Sequence, residues 1–301
     1  WEGSLQESLI ELRLPATGRY RLVATSYGAG DSGEYELSVS PSRADLRQAT
    51  TGDGGRVLGV FVGISDYGGR AGDLAYTADD AHTVAQALQT GAGMRADDAV
   101  ILTDRQATLG NVQQAIRDVG GRAGPDDLFV FFYSGHGGRV ERSGPQITDP
   151  DAMDETLELY DAAITDDDFS ALLSEIEPGI AMLVLDACFS GGFSKDVVSV
   201  PGRIGFFSSE EDVTSSVAAK FRAGGYLSHF MADAVGARLA DADADAAISA
   251  IELSQYLYER YRADVKSGGP DDYVRTGGPQ TGYQHLVVDR GSIRPDQVLF
   301  R

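Results

Sequence analysis

The sequence predicts an α/β fold, on three observations. Short apolar runs recur along the chain from about residue 57 and stop at glycine-rich turns. Segments with helical spacing stand between them, and the two kinds of segment alternate. Apolar runs bounded by glycines read as buried strands of a parallel sheet, and regular alternation of strand and helix is the pattern of layered α/β domains. Residues 57–64 are the first strand, followed by a helix from Asp79 to about Leu88. Residues 99–102 are the second strand, and the next helix sets Val112, Ala115, Ile116 and Val119 on one face at i, i+3, i+4 and i+7. Residues 128–133 and 182–185 are the third and fourth strands, with a helix between them starting at Thr165. A fifth strand falls at 204–207 and a sixth at 285–288, with two helices between them near 227–235 and 251–261.

The first 41 residues differ in character. Runs such as Gly18-Arg-Tyr-Arg-Leu-Val-Ala24 and Gly33-Glu-Tyr-Glu-Leu-Ser-Val39 alternate apolar and polar side chains between Gly, Asp and Ser turns. That is antiparallel β structure with one wet face. Residues 42–55, rich in Ser, Thr, Gly, Asp and Arg, read as a linker, and 56–301 as the main domain.

The bulk numbers exclude several classes. A net charge of −21 argues against nucleic acid and anionic membrane, which both call for basic patches. It suits a basic substrate or simply solubility. No apolar run approaches the ~18 residues of a membrane span. A single cysteine excludes an internal disulfide and leaves the compartment open. The chain begins at Trp1, as a fragment or a processed form would.

That cysteine, Cys188, follows the fourth strand in Leu185-Asp-Ala-Cys-Phe-Ser-Gly-Gly192, and His136 follows the third in Tyr133-Ser-Gly-His-Gly-Gly138. Sites in open α/β sheets form at the carboxyl ends of strands. A Cys and a His delivered there, about 50 residues apart, are a candidate nucleophile and base. The plain alternative is a small core residue and a turn residue. His82 and His229 fall within helices and His285 in a strand, none of them beside glycines at a strand end.

Tyr133-Ser-Gly-His-Gly137 and Asp186-Ala-Cys-Phe-Ser-Gly191 resemble the two catalytic motifs of the caspase-like cysteine peptidases, in the metacaspase and bacterial orthocaspase branch. The resemblance covers about residues 55–290. It implies a caspase-like sandwich: a six-stranded, mostly parallel sheet with helices on both faces. The segment 1–41 resembles the end of the β-sandwich pre-peptidase domain of bacterial secreted peptidases, which favours export. In the family the amides of the residue after the His and of the Cys form the oxyanion hole, here Gly137 and Cys188. The Asp two before the Cys, the Ser two before the His and an Asp on the first helix line its S1 pocket. These map onto Asp186, Ser134 and Asp80, the last through Leu74-Ala-Tyr-Thr-Ala-Asp-Asp-Ala81, which departs from the family pattern at Tyr76 and Thr77. An acidic S1 floor pairs with Arg or Lys and rejects Asp. The expected partners are therefore protein or peptide substrates with a basic P1, cut by a monomeric endopeptidase whose chemistry requires no cofactor. Asp80 also has an ordinary explanation, since acidic residues suit a helix first turn.

Two acidic stretches suggest calcium. Asp149–Thr156 with Ile164–Phe169 resembles the metacaspase activating-calcium region and offers Asp154, Asp166 and Asp167, with Asp196 after the cysteine. Equally, Thr165 is a good helix N-cap with Asp168 three residues on. Asp241, Asp243, Asp245, Ser249 and Glu252 match five positions of an EF-hand loop, but Ala246 stands where glycine is needed. Ser249 with Glu252 reads better as a capping box. Lys195, Arg203, Lys220 and Arg222 lie in Ser-, Gly- or Asp-rich stretches after the cysteine, where an Arg/Lys-directed site would cut its own chain. The alternative functions are a catalytically silent caspase-fold interaction module and a calcium-responsive binding module.

Overall fold

A computed structural model describes residues 55–141, 153–211, 213–265, 273–275 and 281–301. The segment 1–41 and nearly all of the 42–55 linker lie outside them. Six strands form the central sheet: β1 (Val57–Gly63), β2 (Ala99–Thr103), β3 (Leu128–Ser134), β7 (Ile180–Asp186), β8 (Arg203–Phe207) and β12 (Val287–Asp289), in the order β12-β8-β7-β3-β1-β2. All neighbours are parallel except β12, which runs antiparallel to β8. The expected six-stranded, mostly parallel sheet is therefore present.

Strands β1, β3 and β7 are buried at every residue, which is why they read as unbroken apolar runs rather than alternating ones. Their odd and even side chains feed two separate cores. On one face α1 (Thr77–Gly91), α4 (Tyr226–Gly236) and α5 (Ala250–Asp264) cover Phe61, Val130, Phe132, Met182 and Val184. On the other, α2 (Leu109–Gly120) and α3 (Asp166–Leu173) cover Val60, Val62, Phe131, Leu183 and Leu185. Among the described residues, no helix is long and apolar enough to cross a membrane.

Three details differ from the sequence expectation. Helix α1 starts at Thr77, because Tyr76 in the left-handed region (φ 72°) turns the chain and the Thr77 hydroxyl donates to the Ile64 carbonyl. The sixth strand starts at Val287 rather than 285, because the buried Gln284 just before it is drawn to Ser208 and Ser215. A second, antiparallel sheet went unforeseen: β4 (Gly137–Glu141), β5 (Met153–Glu158) and β6 (Ala163–Thr165). Its middle strand is Met-Asp-Glu-Thr-Leu-Glu, whose charges disguise four buried residues. Beyond these, β9 (Ile248–Ser249) pairs with β13 (Val298–Phe300), and β10 (Tyr273–Arg275) with β11 (Thr281–Tyr283).

Candidate active site

Strands β3 and β7 are adjacent, and Ser134 is the register partner of Asp186. His136 and Cys188 each lie two residues beyond that shared rung, so one strand pairing brings both to the carboxyl edge of the sheet. The chain turns sharply after Cys188: Phe189 has φ 60°, a conformation a bulky residue adopts only when its surroundings impose it. The Phe189 amide donates to the Val213 carbonyl, which helps to hold that turn. Gly137 lies so close that a Cβ there would sit 2.0 Å from the Cys188 carbonyl oxygen. Only glycine allows the two backbones to meet, and this places the segments carrying the Gly137 and Cys188 amides side by side.

His136 Nε2 lies 2.7 Å from the Gly72 carbonyl oxygen. A carbonyl only accepts, so Nε2 carries the proton, and in the neutral ring Nδ1 is left as the basic nitrogen. The Cys188 sulfur accepts from the Ser215 amide at 3.2 Å. Burial raises the thiol pKa above its ordinary value, and Asp186 adds to the rise, against the Ser215 amide. The thiol therefore rests protonated and needs a base to make it nucleophilic.

Asp80, Ser134 and Asp186, the three residues that the family resemblance mapped to S1, lie together. The Ser134 hydroxyl donates to Asp80 Oδ2 at 2.7 Å, and both carboxylates are 4% exposed. Desolvation, followed by repulsion from Asp186, pushes Asp80 up to about 7. Burial raises Asp186 as well, against donation from Ser228 and from the hydroxyls of Ser208 and Ser215. Two acids held together in a dry site cannot both ionise cheaply. A cation entering between them would restore the charge balance.

A profile of the caspase domain of peptidase family C14 matches residues 56–260, well over half of the chain. The chain belongs to the caspase family. Metacaspase-1 of Kluyveromyces lactis is 33% identical over 149 residues, covering 46% of this chain and 34% of the yeast protein. Metacaspase-4 of Arabidopsis thaliana is 27% identical over 251 residues, covering 78% of this chain and 59% of the plant protein. The chain thus spans between about a third and three fifths of these two relatives. The crystal structure of a Geobacter sulfurreducens protein shares the fold, with a TM-score of 0.54 at 20% identity over 81% of this chain and 99% of that one.

Several residues of this caspase-family site gave no signal in the sequence. Ser228, in the first turn of α4, gives Asp186 Oδ2 both its amide (2.7 Å) and its hydroxyl (2.8 Å). The Gly224 amide donates to Asp80 Oδ1 at 3.0 Å and the Gly225 amide to Asp80 Oδ2 at 3.2 Å. Adding a Cβ at Gly225 would place it 2.0 Å from the Asp186 carboxylate. These donors come from a segment far along the chain. Only the Gly-Gly pair ahead of a helical pattern hinted at a close approach.

The calcium candidates fall on β5, at the start of α3 and in the turn after the cysteine. Asp154 and Glu155 are both buried on β5, but neighbours on a strand face opposite ways. Glu155, which the sequence reading passed over, lies near enough to Asp166 to feel its charge. Burial, then Asp166, lifts the Glu155 carboxyl to about 8, while Arg139 ion-pairs with it at 3.2 Å. Asp166 and Asp167 open α3 behind Thr165, which caps the Asp168 amide, and Asp166 Oδ1 accepts from the Asp167 amide. Asp196 lies in the turn Ser194–Val198, where its carbonyl accepts from the Ser170 hydroxyl of α3. Among the described residues, the group of three carboxylates with oxygens all within 4.8 Å is instead Asp241, Asp243 and Glu252. Glu252 there is held by the capping box with Ser249 and by the Ala242 amide, as the cap reading anticipated. Ala246 takes φ 67°, so alanine adopts the turn that glycine would make more easily.

The self-cleavage expectation changes at Arg203. It lies in β8 between two partner strands, 4% exposed, with its guanidinium donating to Val197 O, Ser170 Oγ and Ser174 Oγ. A protease cannot draw such a strand into its groove. Lys195, Lys220 and Arg222 remain in turns. Lys220 donates to the Asp264 carbonyl, and Arg222 is exposed with φ 57°.

Proposed function

We propose that the chain is a cysteine endopeptidase that cuts after Arg or Lys. In this reading His136 Nδ1 takes the Cys188 proton and the thiolate attacks the carbonyl carbon of the P1 residue. The oxyanion is met by the amides of Gly137 and Cys188, donors each worth about 3–4 kcal/mol in comparable sites. His136 then returns its proton to the leaving amine, and water hydrolyses the acyl-enzyme. The observation that supports basic P1 selection is the buried Asp80–Asp186 pair, of which Asp186 is two residues from the nucleophile, already short of positive charge. The test is hydrolysis of otherwise identical Arg, Lys and Asp reporter peptides. Cleavage of the Asp peptide, or of none, would overturn the proposal.

A pH dependence follows with a definite sign. Burial, followed by Asp186, pushes Asp80 up to about 7, so below that pH it holds a proton that a bound guanidinium must displace. KM for Arg peptides is expected to rise as pH falls from about 8 to 6. A neutral P1 analogue should show no such trend. Steady-state kinetics across that range checks it, and a flat KM would place the charge pair outside the binding pocket.

Calcium is proposed as an activator, not as a participant in the chemistry. The residues that would hold it are Asp154, Asp166, Asp167 and Asp196, carboxylates of the hard-oxygen kind that Ca²⁺ takes, with the Glu155 carboxyl, raised by burial and then by Asp166, beside them. Slow self-cleavage is proposed after Lys195, Lys220 or Arg222 and not after Arg203. Intact mass over a day, with and without calcium, in wild type and Cys188→Ala, is expected to show cuts only in wild type. A fragment ending at Arg203 would contradict the burial of β8.

A further inference from the structure

The base is held by more than the single bond to Gly72. The His136 amide donates to the Tyr67 hydroxyl at 2.7 Å, and the two rings are 4.9 Å apart between centroids, tilted by 45°. The Tyr133 hydroxyl lies 2.7 Å from the His136 carbonyl and 2.7 Å from that of Glu158, and the Glu158 amide also donates to the His136 carbonyl at 3.0 Å. The two phenols are 3.5 Å apart, and both rings belong to buried residues. They occupy the space in which a side chain at 135 would lie, since a Cβ on Gly135 would come within 2.6 Å of either hydroxyl.

Tyr67 and Gly72 belong to one loop, residues 64–76, between β1 and α1. That loop is anchored away from the site. Asp104 Oδ1 accepts the Ser65 and Asp66 amides at 2.8 and 2.9 Å. The Arg70 guanidinium reaches Glu158 Oε2 (2.7 Å), the Leu159 carbonyl (2.6 Å) and the Ala162 carbonyl (3.2 Å). The loop therefore grips His136 twice, through its ring at Gly72 and through its backbone and ring face at Tyr67. A fully buried tyrosine donating or accepting only for general stability would have no reason to meet the one residue whose ring must be aimed.

We propose that Tyr67 is a positioning residue for the general base: its hydroxyl fixes the His136 backbone and its ring fixes the imidazole plane, so that Nε2 keeps its bond to Gly72 and Nδ1 stays free to act on the thiol. This rests on the assignment of His136 as base. Displacement of a catalytic group by about 1 Å can cost two orders of magnitude in rate, and Tyr67→Phe, which keeps the ring and deletes the hydroxyl, should sacrifice a part of that.

The experiment measures kcat, KM and the pH profile of kcat/KM for Arg-reporter hydrolysis in wild type, His136→Ala, Tyr67→Phe and Gly135→Ala. Inactive wild type, or active His136→Ala, would remove the base assignment itself. Given active wild type and silent His136→Ala, Tyr67→Phe is expected to lower kcat roughly tenfold with KM within about twofold. The acidic limb of its pH profile should move, which a purely structural loss would not do. Gly135→Ala, which drives a methyl into the two phenols, should reproduce the kcat loss, and adding Tyr67→Phe to it should recover part of that loss. Thermal melting of each variant reports on the fold separately. Tyr67→Phe with unchanged kcat and an unmoved acidic limb would overturn the proposal, as would a change confined to KM.

Discussion

Cys188→Ala is expected to lower kcat/KM for an Arg reporter by at least about a thousandfold, and His136→Ala by a similar factor. The double variant should be scarcely worse than either single one, because nucleophile and base act as a unit. What survives would come from the Gly137 and Cys188 amides and from substrate binding. Both singles should melt near the wild-type temperature, since both side chains are only partly buried at the sheet edge. Initial rates with excess reporter decide the matter. A Cys188→Ala protein that retained more than a small residual rate would end the cysteine-peptidase reading. A wild type that was silent but labelled at Cys188 by iodoacetamide would favour a binding module.

Asp186→Ala should cost about two orders of magnitude or more in kcat/KM for Arg and Lys peptides while leaving a neutral P1 nearly unaffected. Deleting one partner of a buried charge pair typically costs about 3–5 kcal/mol, and here the loss has two parts. The incoming cation forfeits its counter-charge, and the Ser228 amide and hydroxyl are left facing a void. The ratio of Arg to neutral-P1 hydrolysis is the readout, because a general loss of folding would lower both. An unchanged ratio would mean that the carboxylate at the base of the pocket does not meet the substrate.

Much of this was legible in the sequence because β1, β3 and β7 are buried on both faces. Continuous apolar runs such as Leu128-Phe-Val-Phe-Phe-Tyr133 leave little choice but a central strand, and the glycines after them mark where the chain must leave the sheet. His136 and Cys188 were readable for the same reason, each lying two residues past such a strand end, whereas Ser134 and Asp186 were singled out only through the family resemblance. Residues recruited over long separations were not. Ser228 meets Asp186 across 42 positions, and Gly224 meets Asp80 across 144. Neither carries a distinctive local pattern, because a serine in the first turn of a helix and a glycine ahead of one are common for other reasons. Strand β5 was not foreseen because buried carboxylates such as Glu155, paired with Arg139, break the apolar pattern of a strand, and no window of neighbouring residues reveals that pairing. Tyr67 escaped notice because a tyrosine in a glycine-rich loop looks like any turn residue until the fold folds it under the imidazole.

The pairing of Ser134 with Asp186 has a bearing on how the molecule matures. Because side chains alternate along a strand, a slip of one residue between β3 and β7 would turn Ser134 away from Asp80 and carry His136 out of step with Cys188 together. No half-competent species lies along that route: a chain either has the rung and all its chemistry, or neither. Regain of hydrolysis during refolding is therefore a stopwatch for the mating of these two strands. It should lag behind helix formation, which needs only local contacts, and coincide with protection of the β3 and β7 amides from hydrogen exchange.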